Sequence, residues 1–309
     1  MSLTVQHSPV RSNEMPRLSV LVPFYKDNPA SLLKALDLQI RALPIEVLFY
    51  DDGTGDGELT EKMKSAVNAA TGSVTLITNS ENKGRSAARN ALYEAARGDW
   101  VLFLDADMLP ARETFLNNYL SLIESSDADI VFGGFEVEAE QKDADRDLHR
   151  ALSEVSDCLT LDERKAGGPQ YVASSNLCVR KTVLDAEPFD SGFSGWGWED
   201  SEWAARVSQR FTLLHIDNPA IHLGLETTDT LLSRFASSGP NYLRFTEAHP
   251  DLAKRLPLYN ISKSLGRLPG QRAMRPLLKR FVKTQSLPMK ARLTALKLWR
   301  ASHYAEALS

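Results

Sequence analysis

Short apolar runs alternate with stretches of helical periodicity along the first third of this chain, and two of the runs stop on paired carboxylates. Leu18-Ser19-Val20-Leu21-Val22-Pro23 reads as a first strand, ended by a proline that has no N–H for a neighbouring strand. Ile45-Glu46-Val47-Leu48-Phe49-Tyr50 reads as a second and runs into Asp51-Asp52-Gly53-Thr54. Val74-Thr75-Leu76-Ile77 is a third, and Trp100-Val101-Leu102-Phe103-Leu104 a fourth that runs into Asp105-Ala106-Asp107. Between them, Leu32, Leu33, Leu36 and Ile40 fall on one helical face, and residues 58–70 and 84–96 also read as helices. Strand–helix alternation predicts an α/β fold with a mainly parallel sheet and helices on both faces. Ligands of such sheets bind outside the carboxyl ends of the strands, which is where both acid pairs fall.

The second half is less regular. Residues 129–137 and 171–179 read as strand elements, residues 198–209 as a helix opened by acids, and 213–216 and 220–223 as short strands, so the predicted sheet is mixed. Residues 1–15 are polar and are expected to form a disordered leader, 16–229 the α/β domain, and 230–309 a basic helical C-terminal extension. At 43% hydrophobic and 25% charged residues, wholesale disorder is excluded. Cys158 and Cys178 are too few for a disulfide framework and read as reduced thiols. No apolar stretch approaches the ~20 residues of a membrane span, and residues 1–15 lack the apolar region of a signal peptide. A cytoplasmic protein is expected.

The net charge of −4 is unevenly distributed. From Asn260 onward there are 11 Lys/Arg and one acid, Glu306, which leaves residues 1–259 with 25 basic and 39 acidic side chains. Met274, Leu277, Leu278, Phe281, Leu293, Leu296 and Trp299 are interleaved with those basic residues at helical spacing. Residues 260–309 are therefore expected to lie on an anionic membrane surface as an interfacial helix pair, at the inner face of the cytoplasmic membrane. The competing reading packs the same helices on the acidic body. Nucleic acid is not expected, since the tail has few aromatics for base stacking.

Asp105 and Asp107 at a strand end suit a divalent cation held jointly with a substrate diphosphate. A carboxylate of the Asp51-Asp52 pair can accept from the N3–H of a uracil ring, with Pro23, Phe24 and Tyr25 as a flat wall; the same pair reads equally as a helix cap. Lys83, Gly84, Arg85 and Arg89 lie where a polar loop enters a helix, a setting that favours phosphate. Gly195-Trp196-Gly197-Trp198-Glu199-Asp200 combines flexible glycines, flat apolar surfaces and an acid pair, as a sugar site with a general base requires.

In order and spacing, Val22-Pro23-Phe24-Tyr25, the strand ending in Asp51-Asp52-Gly53-Thr54, the segment from Asn82 to Asn90, and Leu104-Asp105-Ala106-Asp107 resemble the family 2 glycosyltransferases of GT-A fold. The segment from Phe189 to Glu202 resembles the C-terminal motif of galactosyl- and N-acetylgalactosaminyl-transferases. The resemblance spans roughly residues 17–225. It implies an inverting transfer from a UDP-sugar (UDP-GalNAc, UDP-Gal or UDP-GlcNAc) to a glycan or lipid-linked acceptor in bacterial-type polysaccharide synthesis. It further implies that Pro23 and Asp52 contact the uridine with Asp51 beside it, and that Arg89 approaches the diphosphate or donor sugar. Asp105 would face the ribose or sugar, and Asp107 would bind Mn2+ or Mg2+. Glu199 would hold a sugar and Asp200 would be the general base. Lys83, Gly84, Ala106, Trp196 and Trp198 complete the implied nucleotide-sugar contacts. His222 stands where related enzymes often supply a further metal ligand; it reads equally as a core histidine. Two departures are visible: Phe24-Tyr25-Lys26 replaces the usual Pro-x-Tyr-Asn order, and Gly55 stands at an often polar position.

A sugar nucleotidyltransferase would share the carboxylates and the metal, but would carry a glycine-rich basic loop after the first strand, where this chain has Pro23-Phe24-Tyr25-Lys26. A non-catalytic sugar-binding relative would have no need of both Asp107 and Asp200.

Overall fold

The computed structural model describes residues 3–10, 14–41, 43–138 and 143–309. Its strands are β1 (Thr4–His7), β2 (Leu18–Phe24), β3 (Ile45–Asp52), β4 (Ser73–Asn79), β5 (Trp100–Leu104), β6 (Met108–Pro110), β7 (Ile130–Phe132), β8 (Phe135–Val137), β9 (Asn176–Arg180), β10 (Leu213–His215) and β11 (Ala220–His222). Eight of them form one sheet in the order β1-β4-β3-β2-β5-β9-β7-β10, and β6-β11-β8 form a second. The four runs that read as strands are β2 to β5, which pair in parallel. All eight residues of β3 are buried, as expected of a strand covered on both faces. The antiparallel pairing of β9 with β5 and β7 makes the sheet mixed.

This order fixes the place of a site. From β2 the chain steps outward through β3 to β4, then crosses back to lay β5 on the other side of β2. The chain leaves β2 into helix Ala30–Ile40 on one face of the sheet and reaches β5 from helix Arg85–Ala95 on the other, so a crevice opens at the carboxyl edge between β2 and β5. Pro23 and Phe24 end one wall, and Asp105 follows the other. Helix Ala30–Ile40 buries Leu32, Leu33, Leu36 and Ile40 against the sheet, the face expected from their spacing.

Within residues 1–15, expected to be a disordered leader, Thr4–His7 instead pairs antiparallel with β4 as an edge strand. None of its side chains is buried, its one apolar residue, Val5, included, so the pairing rests on backbone bonds that an apolar pattern does not announce; the Gln6 amide adds bonds to the Lys64 carbonyl and to Asn68. Residues 1, 2 and 11–13 lie outside the described residues.

After residue 230 the chain is helical, as predicted, but its apolar faces are not free. Leu278, Val282, Ala295 and Leu296 are buried in one cluster with Leu231, Leu232 and Phe235, and with Leu148 and Leu152 from helix Asp147–Ser156. Leu293 and Trp299 pack against the same cluster. Of the residues expected to face a membrane, only Met274, Leu277 and Phe281 are well exposed, at 43%, 54% and 45%. Most of the apolar surface expected of an interfacial helix pair is packed on the body instead, because burying two apolar stripes against each other removes more apolar surface from water than one-sided contact does. Among the described residues, no helix is long and apolar enough to cross a membrane.

Candidate active site

A cavity of about 310 Å3 opens at the crevice between β2 and β5. Pro23, Phe24, Tyr25 and Asp52 line one side, Gly84, Arg85 and Arg89 another, and Asp105, Ala106 and Asp107 a third. Gly195 and Trp196 close it from the second half of the chain. A smaller cavity of about 250 Å3 shares Gly84, Arg85 and Gly195 with it, and adds Lys83 and Glu199. Residues as far apart in sequence as Pro23 and Arg234 therefore meet at one sheet edge.

The acid pair at the end of β3 divides its work. Asp51 is buried and its Oδ1 accepts from the Thr54 N–H at 2.9 Å, so it shapes the turn and does not line the cavity. Asp52 Oδ1 and Oδ2 accept from the Lys83 and Gly84 N–H groups at 3.0 and 2.8 Å, which ties the loop of residues 82–84 to the strand end. Burial raises the Asp52 pKa, against those two bonds. Gly53, at φ +75°, is required there, since a Cβ would sit 2.3 Å from the Glu81 carbonyl carbon. The fastened loop then enters helix Arg85–Ala95, whose N-terminus faces the cavity.

Arg89 is the hub. Its side chain is 1% exposed, and its Nη2 lies 3.3 Å from Asp105 while its Nη1 lies 3.4 Å from Asp200 and 3.5 Å from Glu199. Arg85 supports it, 3.8 Å from Glu199. Burial works against the Arg89 charge, but Asp200, Asp105 and Glu199 outweigh that and raise its pKa. Asp200 keeps about a fifth of its side chain exposed (21%). Burial pushes its pKa up to about 6; Arg89 opposes the shift, and Glu199 and Asp105 add to it. The helix-start position of Asp200 therefore does not hold its pKa down, because desolvation exceeds the roughly 0.3–1 kcal/mol that a helix N-terminus supplies to an exposed anion. A reaction that needs ionised Asp200 should lose kcat below a midpoint near pH 6, read from a kcat–pH profile; a midpoint near 4 would mean the group is not desolvated in the working enzyme.

Asp107 and His222 meet through the small sheet. β11 runs antiparallel to β6 with His222 opposite Met108, which sets the ring beside Asp107. His222 Nε2 is 3.4 Å from Asp107 Oδ2. The contact places the half-buried His222 ring beside Asp107, which lines the cavity. Gly224 makes room, because a Cβ there would fall 1.8 Å from Asp107 Oδ2.

Two predicted residues sit elsewhere than expected. Trp198 lines neither cavity. Its indole Nε1–H donates to the Tyr304 hydroxyl at 2.9 Å, and its ring packs on Tyr242 and Phe245. The expected sugar contact gives way to a structural one, because the left-handed backbone at Trp198 (φ 76°) turns the ring into an aromatic cluster of the C-terminal helices. Asp51, as above, is a turn residue. Conversely, Asp27 and Arg234 line the cavity without having been predicted. Asp27 lies in a loop with no motif, and Arg234 comes from helix Thr228–Ser237, beyond the predicted domain boundary. Its charge near Asp27 and Asp107 is visible only in three dimensions.

The sequence profile of Glycosyl transferase family 2 matches residues 19–185. Glycosyltransferase AglE of Haloferax volcanii is 25% identical over 201 residues, 64% of this chain and 63% of that protein. Undecaprenyl-phosphate 4-deoxy-4-formamido-L-arabinose transferase of Aeromonas hydrophila is 31% identical over 105 residues, 32% of this chain and 31% of that protein. The chain thus spans less than two thirds of the length of these relatives. Among solved structures, the mannosyltransferase PcManGT of Pyrobaculum calidifontis, in complex with GDP-Man and Mn2+, superposes with a TM-score of 0.60 at 17% identity, covering 95% of this chain and 88% of that one.

Proposed function

Because the chain belongs to glycosyl transferase family 2 and has the GT-A fold, we propose that it transfers a sugar from a UDP-sugar to a hydroxyl of a glycan or lipid-linked acceptor, with inversion at the anomeric carbon. The observation that carries this reading is the Arg89 hub, which gathers Asp105, Glu199 and Asp200 beside a cavity walled by Pro23 and Asp52. Asp200 takes the proton of the acceptor hydroxyl. The acceptor oxygen bonds to the anomeric carbon as the bond from that carbon to UDP breaks, and UDP leaves with the electron pair. A base with a pKa of about 6 is ionised at neutral pH yet still basic enough to receive the proton. Arg89 and Glu199 hold its orientation, and the N-terminus of helix Arg85–Ala95 with Arg85 faces the diphosphate.

Asp107 and His222 fit a divalent cation, Mn2+ or Mg2+. Their donor atoms stand 3.4 Å apart, Asp107 lines the cavity, and Gly224 leaves room for the Asp107 carboxylate. Among the described residues there is no cluster of three or more metal-ligating side chains. Two protein donors completed by diphosphate and water is the mode such ions favour at nucleotides. When bound, the ion supplies charge that offsets the negative charge developing on UDP.

A donor screen tests the reading: UDP-Gal, UDP-GalNAc, UDP-Glc, UDP-GlcNAc, UDP-glucuronate and GDP-mannose, with nucleoside diphosphate release as readout. Release from one UDP-sugar is expected. Release from GDP-mannose alone would overturn the uridine assignment, and formation of nucleotide-sugar from a nucleoside triphosphate and a sugar phosphate would replace the reaction.

We also propose that residues 260–309 bring the enzyme to an anionic membrane surface, where a lipid-linked acceptor resides. The supporting face is narrower than the sequence suggested. Met274, Leu277 and Phe281 form one exposed stripe at the start of and along helix Arg275–Lys283, beside exposed Lys279 and Arg280. Each basic residue near such a surface contributes about 1 kcal/mol. The double variant Leu277→Glu, Phe281→Glu should lose most sedimentation with anionic liposomes while binding UDP normally. Undiminished sedimentation would sink this docking face.

A further inference from the structure

The loop that delivers Glu199 and Asp200 is shaped by residues far from the chemistry. Gly195, Gly197 and Trp198 all have positive φ, at 76°, 90° and 76°. For tryptophan this conformation is strained, at a cost of order 1–3 kcal/mol, and such strain persists only where surrounding structure over-determines it. Here two sets of contacts do so, both from the C-terminal helices. The Asn241 side-chain amide, on helix Gly239–Ala248 and only 5% exposed, donates to the Ser194 and Gly197 carbonyls at 2.9 and 3.0 Å, with the Trp196 carbonyl at 3.4 Å. Tyr304, on helix Met289–Ala307, accepts from the Trp198 indole at 2.9 Å and exchanges a hydrogen bond with the Ser238 hydroxyl at 2.7 Å. The Arg300 guanidinium lies 5.3 Å from the Trp198 ring and 4.7 Å from Phe235.

We propose that Asn241 and Tyr304 are positioning residues of the transfer reaction, which lock the loop of residues 194–198 so that the helix behind it presents Asp200 to Arg89 and the acceptor. The amide of Asn241 gathers carbonyls that would otherwise repel one another. Tyr304 fixes the one bulky residue that the loop carries in a left-handed conformation, immediately before Glu199. Neither side chain lines the cavity. Their effect on catalysis is transmitted through backbone geometry, where a displacement of about 1 Å can cost roughly a hundredfold in rate. This inference rests on the assignment of Asp200 as the base.

Asn241→Asp tests it most sharply. The replacement is isosteric, but sets carboxylate oxygens against three carbonyl oxygens. Two quantities are read: amide hydrogen exchange of residues 193–198 by mass spectrometry, and kcat divided by the number of UDP-binding sites found by calorimetric titration, so that unfolded protein does not count. The lock predicts faster exchange in that segment, a kcat per site lowered roughly tenfold to a hundredfold, and a UDP affinity within about threefold. Tyr304→Phe, which removes a single hydroxyl, carries the test if Asn241→Asp does not fold; it should act in the same direction with a smaller effect. Unchanged exchange in 193–198, or an unchanged kcat per site in either folded variant, overturns the proposal. If the wild type turns over no nucleotide sugar, the transferase reading fails on its own, and the exchange measurement still decides whether these residues hold the loop.

Discussion

Asp200→Asn is expected to lower turnover by about two to four orders of magnitude while leaving UDP affinity within a few fold. The amide occupies the same space but takes no proton, so the loss isolates the chemical step. The geometry also predicts how the loss divides. Asp200 stands 3.4 Å from Arg89, whose other partners, Asp105 and Glu199, remain in place. The hub keeps two carboxylates, and the fold should hold. Single-turnover kinetics with the productive donor provide the check. A variant that retains most of its turnover would remove Asp200 from the role of base and direct attention to Glu199, which is more deeply buried.

Asp107→Ala is expected to abolish transfer and to remove the divalent-cation dependence of UDP binding. The carboxylate and the His222 ring form the whole of the proposed protein contribution at that edge. Removing one of two donors leaves a single neutral imidazole, which offers no charge to a hard cation. UDP titrations with Mn2+, with Mg2+ and with chelator, on wild type and variant, read the effect directly. If wild-type protein binds UDP equally well with chelator present, the metal assignment is wrong whatever the variant does.

The parallel core was legible because three of its strands are short apolar runs with a chemical signal at their end: Pro23 one residue before the end of β2, which runs on to Phe24, Asp51 and Asp52 closing β3, and Asp105 directly after β5. The carboxyl-edge rule then carried those acids to the crevice without coordinates. Strand β1 was not legible, since Thr4 and Gln6 carry no apolar signal and its stability comes from the edge of β4. The site divides the same way. Asp105, Asp107, Arg89 and Asp200 stood in motifs, and the structure brings all four to the cavity or its rim. Arg234 and Asn241 stood in none, because their contacts reach back to a loop some 40 residues earlier, across helix Glu199–Val207 and strands β10 and β11. Trp198 was misread for a physical reason: an aromatic beside a catalytic acid looks the same in sequence whether it faces a sugar or anchors a loop, and only the sign of φ separates them. The basic tail was misread in part, because helical spacing shows that an apolar face exists but not what covers it.

The tie between Trp198 and Tyr304 also sets an order in time. The two residues are 106 positions apart. At a synthesis rate of about 5–20 residues per second, roughly 5–20 s separate their emergence from the ribosome. Through that interval the parallel sheet, Asp107 and the helix of Arg89 are already synthesised, while Trp198 still lacks its Tyr304 partner. The nascent chain thus carries the residues proposed to hold a nucleotide before it can fully fix the proposed base, and helix Met289–Ala307, made after both, supplies the missing contact.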